Sequence, residues 1–321
     1  MRFLKEWMLP IAMIAGASIY LIYHAVEPLH VAGPFLNGLV GVLQPLRIFS
    51  MLFLTFCRIE PRELKPHRWH WWLLLVQGGL FVLLGLGAYA LEKAHGAQEW
   101  LVLIESAMLC LICPTATAAA VVTRKLGGDV AGITAYTILV NMLAALLVPL
   151  VVPLIQPIEG MTFWMAFSMI MAKVFPLLIL PCICAWLVRY LLPQLHRKLL
   201  QWPDLPFYLW AVALTLAIAV TTKSIVHSQL HIGLLLLIAA VSLACCAVQF
   251  AVGKFVGSRY GRRAGKESRK VTAGQALGQK NTVFAIWMGY TFMTPETAIV
   301  GGLYSIWHNL YNSWQLHKAG K

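Results

Sequence analysis

Charge is what this sequence has least of. Only 12% of its 321 residues are Asp, Glu, Lys or Arg, while 60% are hydrophobic. A soluble domain carries roughly 25% charged residues, so a soluble fold is excluded. Acids are the scarcer sign, with 12 Asp and Glu against 25 Lys and Arg. Glu105 is the only carboxylate clearly inside an apolar segment. An intramembrane enzyme working with facing carboxylates is therefore unsupported, and neither G-x-S-x-G nor H-E-x-x-H occurs. The 7 cysteines lie almost wholly in apolar segments, and the Cys110-x-x-Cys113 pair has no second pair or histidine cluster to complete a metal site. They read as small packing residues, with no structural disulfide, metal or cofactor.

What is present is a succession of apolar runs. A membrane helix needs about 20 such residues, and ten segments qualify: Trp7–His24, Phe35–Phe56, His70–Leu91, Trp100–Thr123, Val130–Ile155, Met161–Val188, Leu205–Thr222, Leu230–Phe250, Val271–Phe292 and Pro295–Leu316. Arg2 and Lys5 precede the first run as in a signal peptide, but the run is long and no small-x-small cleavage site follows, so it is read as a membrane helix. The formal charge of +13 would suggest nucleic acid in a soluble chain. Here 20 Lys and Arg fall at the termini and in the even-numbered gaps, against 2 in the odd-numbered gaps. That is a positive-inside pattern. It predicts an all-α polytopic protein of the cytoplasmic (inner) membrane with both termini cytoplasmic. Its surroundings are the lipid bilayer, with no nucleic acid and no obligate protein partner. The basic run Arg259–Lys270 reads as a topology signal, with anionic-lipid binding as the alternative.

Two segments are interrupted. The ninth carries Gln275, Gln279, Lys280 and Asn281 in its middle, with Gly274 and Gly278 among them. A charge at the bilayer centre costs roughly 2.5–3.5 kcal/mol on insertion scales. Broken backbone at that depth survives only where protein or a cavity surrounds it. A discontinuous helix around a binding site is the expectation. The fourth segment has Pro114 at mid-membrane depth, followed by small residues; an ordinary proline kink is the plainer alternative. Positions four and nine correspond if the chain is two five-helix halves, 1–160 and 161–321. An odd number of helices inverts the second half. Matching interruptions in two halves point to a transporter site, here Pro114, Thr115, Thr117, Gln275, Gln279, Lys280, Asn281 and Thr282.

At these segments the chain resembles the bile acid:sodium symporter family. Cys113-Pro114-Thr115-Ala116-Thr117-Ala118-Ala119-Ala120 stands where that family has a CPGGTASN-like motif, followed by Gly128-Asp129 and Pro149. Gly278-Gln279-Lys280-Asn281-Thr282 matches its G-x-Q-N-[ST], and Gly302-Leu303-Tyr304-Ser305-Ile306-Trp307-His308-Asn309 its tenth-helix signature. Gln77 and Lys173 also fall where the family tends to have Gln and Lys. The resemblance implies a ten-helix inverted 5+5 repeat, with a panel of helices 1, 2, 6 and 7 and a core of helices 3–5 and 8–10. Discontinuous helices 4 and 9 cross at mid-membrane. It also implies transport of organic anions, such as bile acids, sulfated steroids or keto acids, with two sodium ions behind the crossing.

The departures from that pattern bear on mechanism. The family's sodium ligands after the Thr-Ala run are Ala119 and Ala120 here, and its ninth-helix acid aligns with Ala276, or with Gln275 in a shifted register. Gln77 and Thr137 remain, with Asn141 as a nearby oxygen source. The family's Gln before Asn281 is Lys280, whose ammonium can take the place and charge of a bound sodium among helix-terminal carbonyls. Burial penalises a charged ammonium, so Lys280 could also release its proton in the cycle; the plainer alternative is that it snorkels to the interface.

The expectation is a sodium-independent carrier of a small organic anion, uniport-like or proton-coupled. The alternatives are a sodium symporter with a rebuilt site and a non-transporting sensor of the same fold. Glu105 is a candidate partner for Lys280 or Lys173. Arg47 could meet the anion or snorkel. His308 and Asn309 are expected to hold the tenth helix against the core. Trp164, Met165, Met169 and Met171 suit an amphipathic ligand on the panel wall.

Overall fold

In the computed structural model, all residues are described except 1, 95, 203–204, 261–264 and 320–321. Only the backbone is described at 2–10, 37, 44, 63, 206–207, 210 and 295. The described chain is helical, with no β-strand. Its helices are α1 (Arg2–Ala25), α2 (Gly33–Cys57), α3 (Arg68–Lys93), α4 (Gln98–Ile112), α5 (Ala119–Lys125), α6 (Val130–Ile155), α7 (Phe163–Leu178), α8 (Leu180–Leu191), α9 (Pro193–Leu200), α10 (Leu205–His227), α11 (Ile232–Arg259), α12 (Lys266–Gly278), α13 (Thr282–Phe292) and α14 (Ala298–Ala319). Each apolar segment of the sequence is helical. By length and composition, five stretches are sufficient to cross a membrane: Glu27–Cys57, Arg68–Lys93, Val130–Ile155, Phe163–Leu191 and Ile232–Arg259. Shorter apolar helices run over Ile11–Ala25, Ala211–His227 and Thr282–Phe292.

Local chemistry sets several boundaries. Asp129 caps α6 by accepting from the Gly132 amide at 3.0 Å, and its own amide donates to Thr272 Oγ1 of α12 at 2.8 Å. Thr162 caps α7 and Asn281 caps α13 in the same way. The sixth segment is not the single helix expected. It divides into α7 and α8 at Ile179, between Pro176 and Pro181. Proline removes an amide donor and crowds the preceding turn, and two in six residues interrupt the ladder.

Two groups of helices emerge from the packing. In one, α1 lies along α10, while α2 meets α7, α8 and α10. In the other, α3 packs on α4 and α6, and α11 on α4, α12 and α14; α7 against α6, and α10 against α13 and α14, join the two groups. The contact of α11 with α12 is close because glycine lines it: a Cβ on Gly253 would stand 2.4 Å from the Ala273 carbonyl oxygen, and one on Gly278 would stand 2.4 Å from Phe250 Cγ. This corrects the reading of Gly274 and Gly278 as part of the helix break. Both stand inside α12, and the break follows them. The run Arg259–Lys270 joins α11 to α12, and residues 261–264 within it lie outside the described residues.

Candidate functional site

The fourth and ninth segments both break, and the breaks cross. Between α4 and α5 the chain runs extended from Cys113; between α12 and α13 it does so at Gln279. Thr115 and Lys280 pair there as an isolated antiparallel bridge. The Ala116 amide donates to the Gln279 carbonyl, and the Asn281 amide to the Pro114 carbonyl, each at 2.8 Å. Each break thus supplies the hydrogen-bond partner the other lacks, which is how non-helical backbone is tolerated at membrane depth. Pro114 makes more than a kink.

A helix end leaves carbonyls without intrahelical partners, and here side chains from other helices satisfy them. At the end of α4, Gln249 Nε2 of α11 donates to the Cys110 oxygen at 3.1 Å, Lys280 Nζ to Leu111 at 3.0 Å, and Gln77 Nε2 of α3 to Ile112 and Cys113 at 3.2 and 3.3 Å. At the end of α12, Thr115 Oγ1 donates to the Ala276 oxygen at 2.6 Å and Tyr304 OH to Gly278 at 2.8 Å. Gln249 Nε2 also reaches Tyr304 OH at 3.2 Å, joining the two sets. Sequence reading missed Gln249 and Tyr304 as members of this network, although a lone glutamine in an otherwise apolar helix was a usable signal.

Lys280 is the central group. It is 2% exposed, so it does not snorkel. Its ammonium sits at the negative end of the α4 dipole, and its own backbone follows the negative end of α12. Among the described residues it forms no ion pair. Glu105 is not its partner: that carboxylate accepts from Gln156 Nε2 at 2.7 Å and from the Thr294 amide at 3.2 Å. Nor does Glu105 pair with Lys173, which is exposed on α7 with its ammonium 5.5 Å from the centre of the Phe292 ring.

A narrow cleft opens at the crossing. Ala116, Thr117, Lys280, Asn281, Thr282, Val283 and His308 line one side, and Ile48 and Met51 of α2 the other. Of the residues expected at the site, Pro114, Thr115 and Gln279 build the crossing, while Thr117, Lys280, Asn281 and Thr282 reach the cleft. Gln275 turns to α14, donating to Asn312 Oδ1 at 2.9 Å. His308 does not tie its helix to the core as expected: it is 3% exposed, its Nδ1 has no hydrogen-bond partner, and it faces the cleft. Asn309 bonds only within α14, to Ser305 Oγ at 3.4 Å. The apolar wall also differs from expectation. Trp164 and Met165 are exposed on α7, and α2 supplies Ile48 and Met51 instead. Arg47 is buried rather than snorkelling. It donates to the Leu43 and Ala213 carbonyls at 3.1 and 3.2 Å, and its Nη2 lacks a partner.

A family model described as the SBF-like CPA transporter family matches residues 29–319. The chain belongs to that family. The resemblance drawn from the motifs is borne out at family level, and the SBF-like chain is an integral membrane protein of a transporter family, with apolar helices to match. No curated protein matches it.

The motif resemblance implies sodium ions, and several of the side-chain ligands it implies are missing or engaged here. Ala119 and Ala276 are fully buried methyl groups at two ligand positions, and Ala120 is a third methyl. Thr137 Oγ1 donates to Ile133 at 2.9 Å within its own helix. Gln77 Oε1 already accepts from Tyr136 OH at 3.0 Å. Asn141 donates to the Leu178 carbonyl at 3.4 Å. Three ligand positions therefore offer no side-chain oxygen, while Asn141 Oδ1, Gln275 Oε1 and Gln279 Oε1 are buried without a partner.

Proposed function

We propose that this protein carries a small organic anion across the cytoplasmic membrane without sodium, with Lys280 as the tethered cation of the crossing. One observation carries the reading. The Lys280 ammonium is buried against the Leu111 carbonyl at 3.0 Å, with no acidic partner among the described residues. A fixed positive charge held by helix-end dipoles does what a bound sodium would do there.

The cleft beside it presents groups that recognise a carboxylate or sulfate, and at about 20 Å³ it would widen to admit one. The amides of Thr282 and Val283 begin α13, where the helix dipole is positive. Thr117 and Thr282 offer hydroxyls, and the His308 ring lines the same cleft. Ile48 and Met51 would cover the apolar body of the ligand.

The surrounding architecture in this reading is ten crossings in two inverted halves, 1–160 and 161–321, with both termini cytoplasmic. The matched breaks at α4/α5 and α12/α13 support the repeat, and the 20-to-2 distribution of basic residues supports the orientation. The packing of α1 along α10 and of α2 on α8 supports a panel, and that of α3, α4, α11, α12 and α14 a core, with α7 on α6 and α10 on α14 joining the two. Movement of one group against the other would expose the cleft alternately.

The deciding experiment is uptake of a labelled carboxylate, bile acid and sulfated-steroid panel into proteoliposomes, with sodium replaced by potassium or choline. Undiminished uptake that is lost in Lys280→Gln is the expected result. A strict sodium requirement would sink the reading and point to the buried, unpartnered oxygens of Gln275 and Gln279 as cation ligands. Ligand binding without flux in any ion would make the protein a sensor.

A further inference from the structure

The two broken helices meet at a second place, away from the crossing. Glu105 lies seven residues into α4, about 10 Å along the axis at 1.5 Å per residue, and is fully buried. Its Oε1 accepts from Gln156 Nε2 at 2.7 Å, at the end of α6. Its Oε2 accepts from the Thr294 amide at 3.2 Å, in the turn that follows α13, and the carboxylate also meets the Thr294 hydroxyl. Gln156 Nε2 reaches that hydroxyl as well, at 3.2 Å.

Among the described residues no cation pairs with Glu105. Several charged and titratable groups stand near that end: Lys173 of α7 lies over the Phe292 ring, and Lys223 and His227 of α10 line a pocket with Tyr290 and Glu296. Glu296 is on the turn; Glu99 on α4 bonds His231 of α11 at 3.2 Å; Glu92 and Lys93 end α3, with Lys93 over the Tyr89 ring; Tyr290 on α13 is exposed. From α6 comes only the neutral Gln156, and the start of α14, 298–303, is wholly apolar. An unpaired carboxylate in an apolar interior is costly, and an intramembrane ionisable group held in neutral hydrogen bonds is suited to exchanging a proton.

We propose that Glu105 is a proton-binding site, and that this carrier takes up there the proton that accompanies its anion. The chemistry balances without another reactant. A proton from hydronium in the solvent binds Oε2, the new O–H donates to Thr294 Oγ1 as that hydroxyl turns its own hydrogen away, and the Thr294 amide bond to Oε2 weakens. Gln156 keeps Oε1. The tie that weakens joins the middle of α4 to the turn after α13, and these same helices are joined at the crossing through Pro114 and Asn281. Protonation at one end therefore bears on the freedom of the elements that frame the cleft at the other. The coupling rests on the transport reading above; the proton site does not.

The test is an infrared titration of the protein in lipid, which reads the carbonyl stretch of a protonated carboxyl and needs no substrate. Wild type should show a band that rises on acidification, is lost in Glu105→Gln and persists in Glu99→Gln. No titrating band across the range in which wild type stays folded, or a band that survives in Glu105→Gln, overturns the site. Should Glu105→Gln not fold, Gln156→Leu replaces it: a shifted midpoint of the same band supports the assignment, and an unmoved one overturns it. Coupling is read separately with a lumenal pH dye during uptake of the anion panel. Lumenal acidification that Glu105→Gln abolishes is expected, and acidification that persists in that variant overturns the coupling. Failure of the infrared test leaves the crossing's role intact. Loss of anion uptake with the band unchanged counts against the transport reading alone.

Discussion

The ammonium of Lys280 stands 3.0 Å from the carbonyl oxygen of Leu111, so a side chain of the ninth segment closes the helix end of the fourth. The two residues are 169 apart in the chain. Their contact places a positive charge where the dipole of α4 is most negative.

Replacing Lys280 by Met should cost about 1–3 kcal/mol, the penalty for leaving a buried carbonyl such as Leu111 without its donor. Thermal unfolding in detergent would show it as a lowered Tm. An unchanged Tm would mean that water reaches that carbonyl and that the ammonium is dispensable to the fold.

Gly278→Ala should destabilise by about 1–3 kcal/mol through overpacking. The new methyl would collide with the Phe250 ring, which is itself buried and packed on Tyr311. Gly79→Ala is the control, because its added methyl meets nothing within 4 Å. Equal Tm losses at the two sites would contradict the tight α11–α12 contact.

Tyr304→Phe and Gln249→Leu should not act independently. Tyr304 serves the Gly278 carbonyl, and Gln249 serves both the Cys110 carbonyl and Tyr304 OH. Residues in one hydrogen-bond network show coupling of about 0.5–3 kcal/mol. A double-mutant cycle on unfolding should return a coupling in that range; additive losses would separate the two helix ends.

His308→Ala should weaken binding of the anion panel at least tenfold, about 1.4 kcal/mol. It should lower ligand-free Tm little for a buried residue, since Nδ1 bonds nothing in the protein. Ligand-induced thermal shifts would measure both effects at once. A large Tm loss with unchanged binding would return His308 to a packing role.

Much of the site was legible because the cost of polar groups in a membrane is so high. Gln279, Lys280 and Asn281 announced a break in an apolar run, and Pro114 announced its counterpart. Where reading failed, the missing information was always a neighbour. Gly274 and Gly278 looked like helix breakers, and only the approach of α11 shows that they admit a packed helix. Glu105 looked like a partner for a lysine, but Gln156 and Thr294 are the groups within reach. His308 looked like a helix tether, and it lines the cleft instead, with its Nδ1 buried and unbonded.

The sequence by itself determined that this is an all-helical membrane protein, where its apolar segments lie, and which two of them break at the crossing. Those follow from hydropathy, proline and the cost of buried charge, all of which act locally along the chain. Only the tertiary structure decided what each polar group does. A helix-end carbonyl can take its donor from any helix that folds against it, and the identity of that donor is written in no single segment. Lys280 on Leu111, Gln77 on Cys113 and Tyr304 on Gly278 are contacts between distant stretches, settled by which faces pack together.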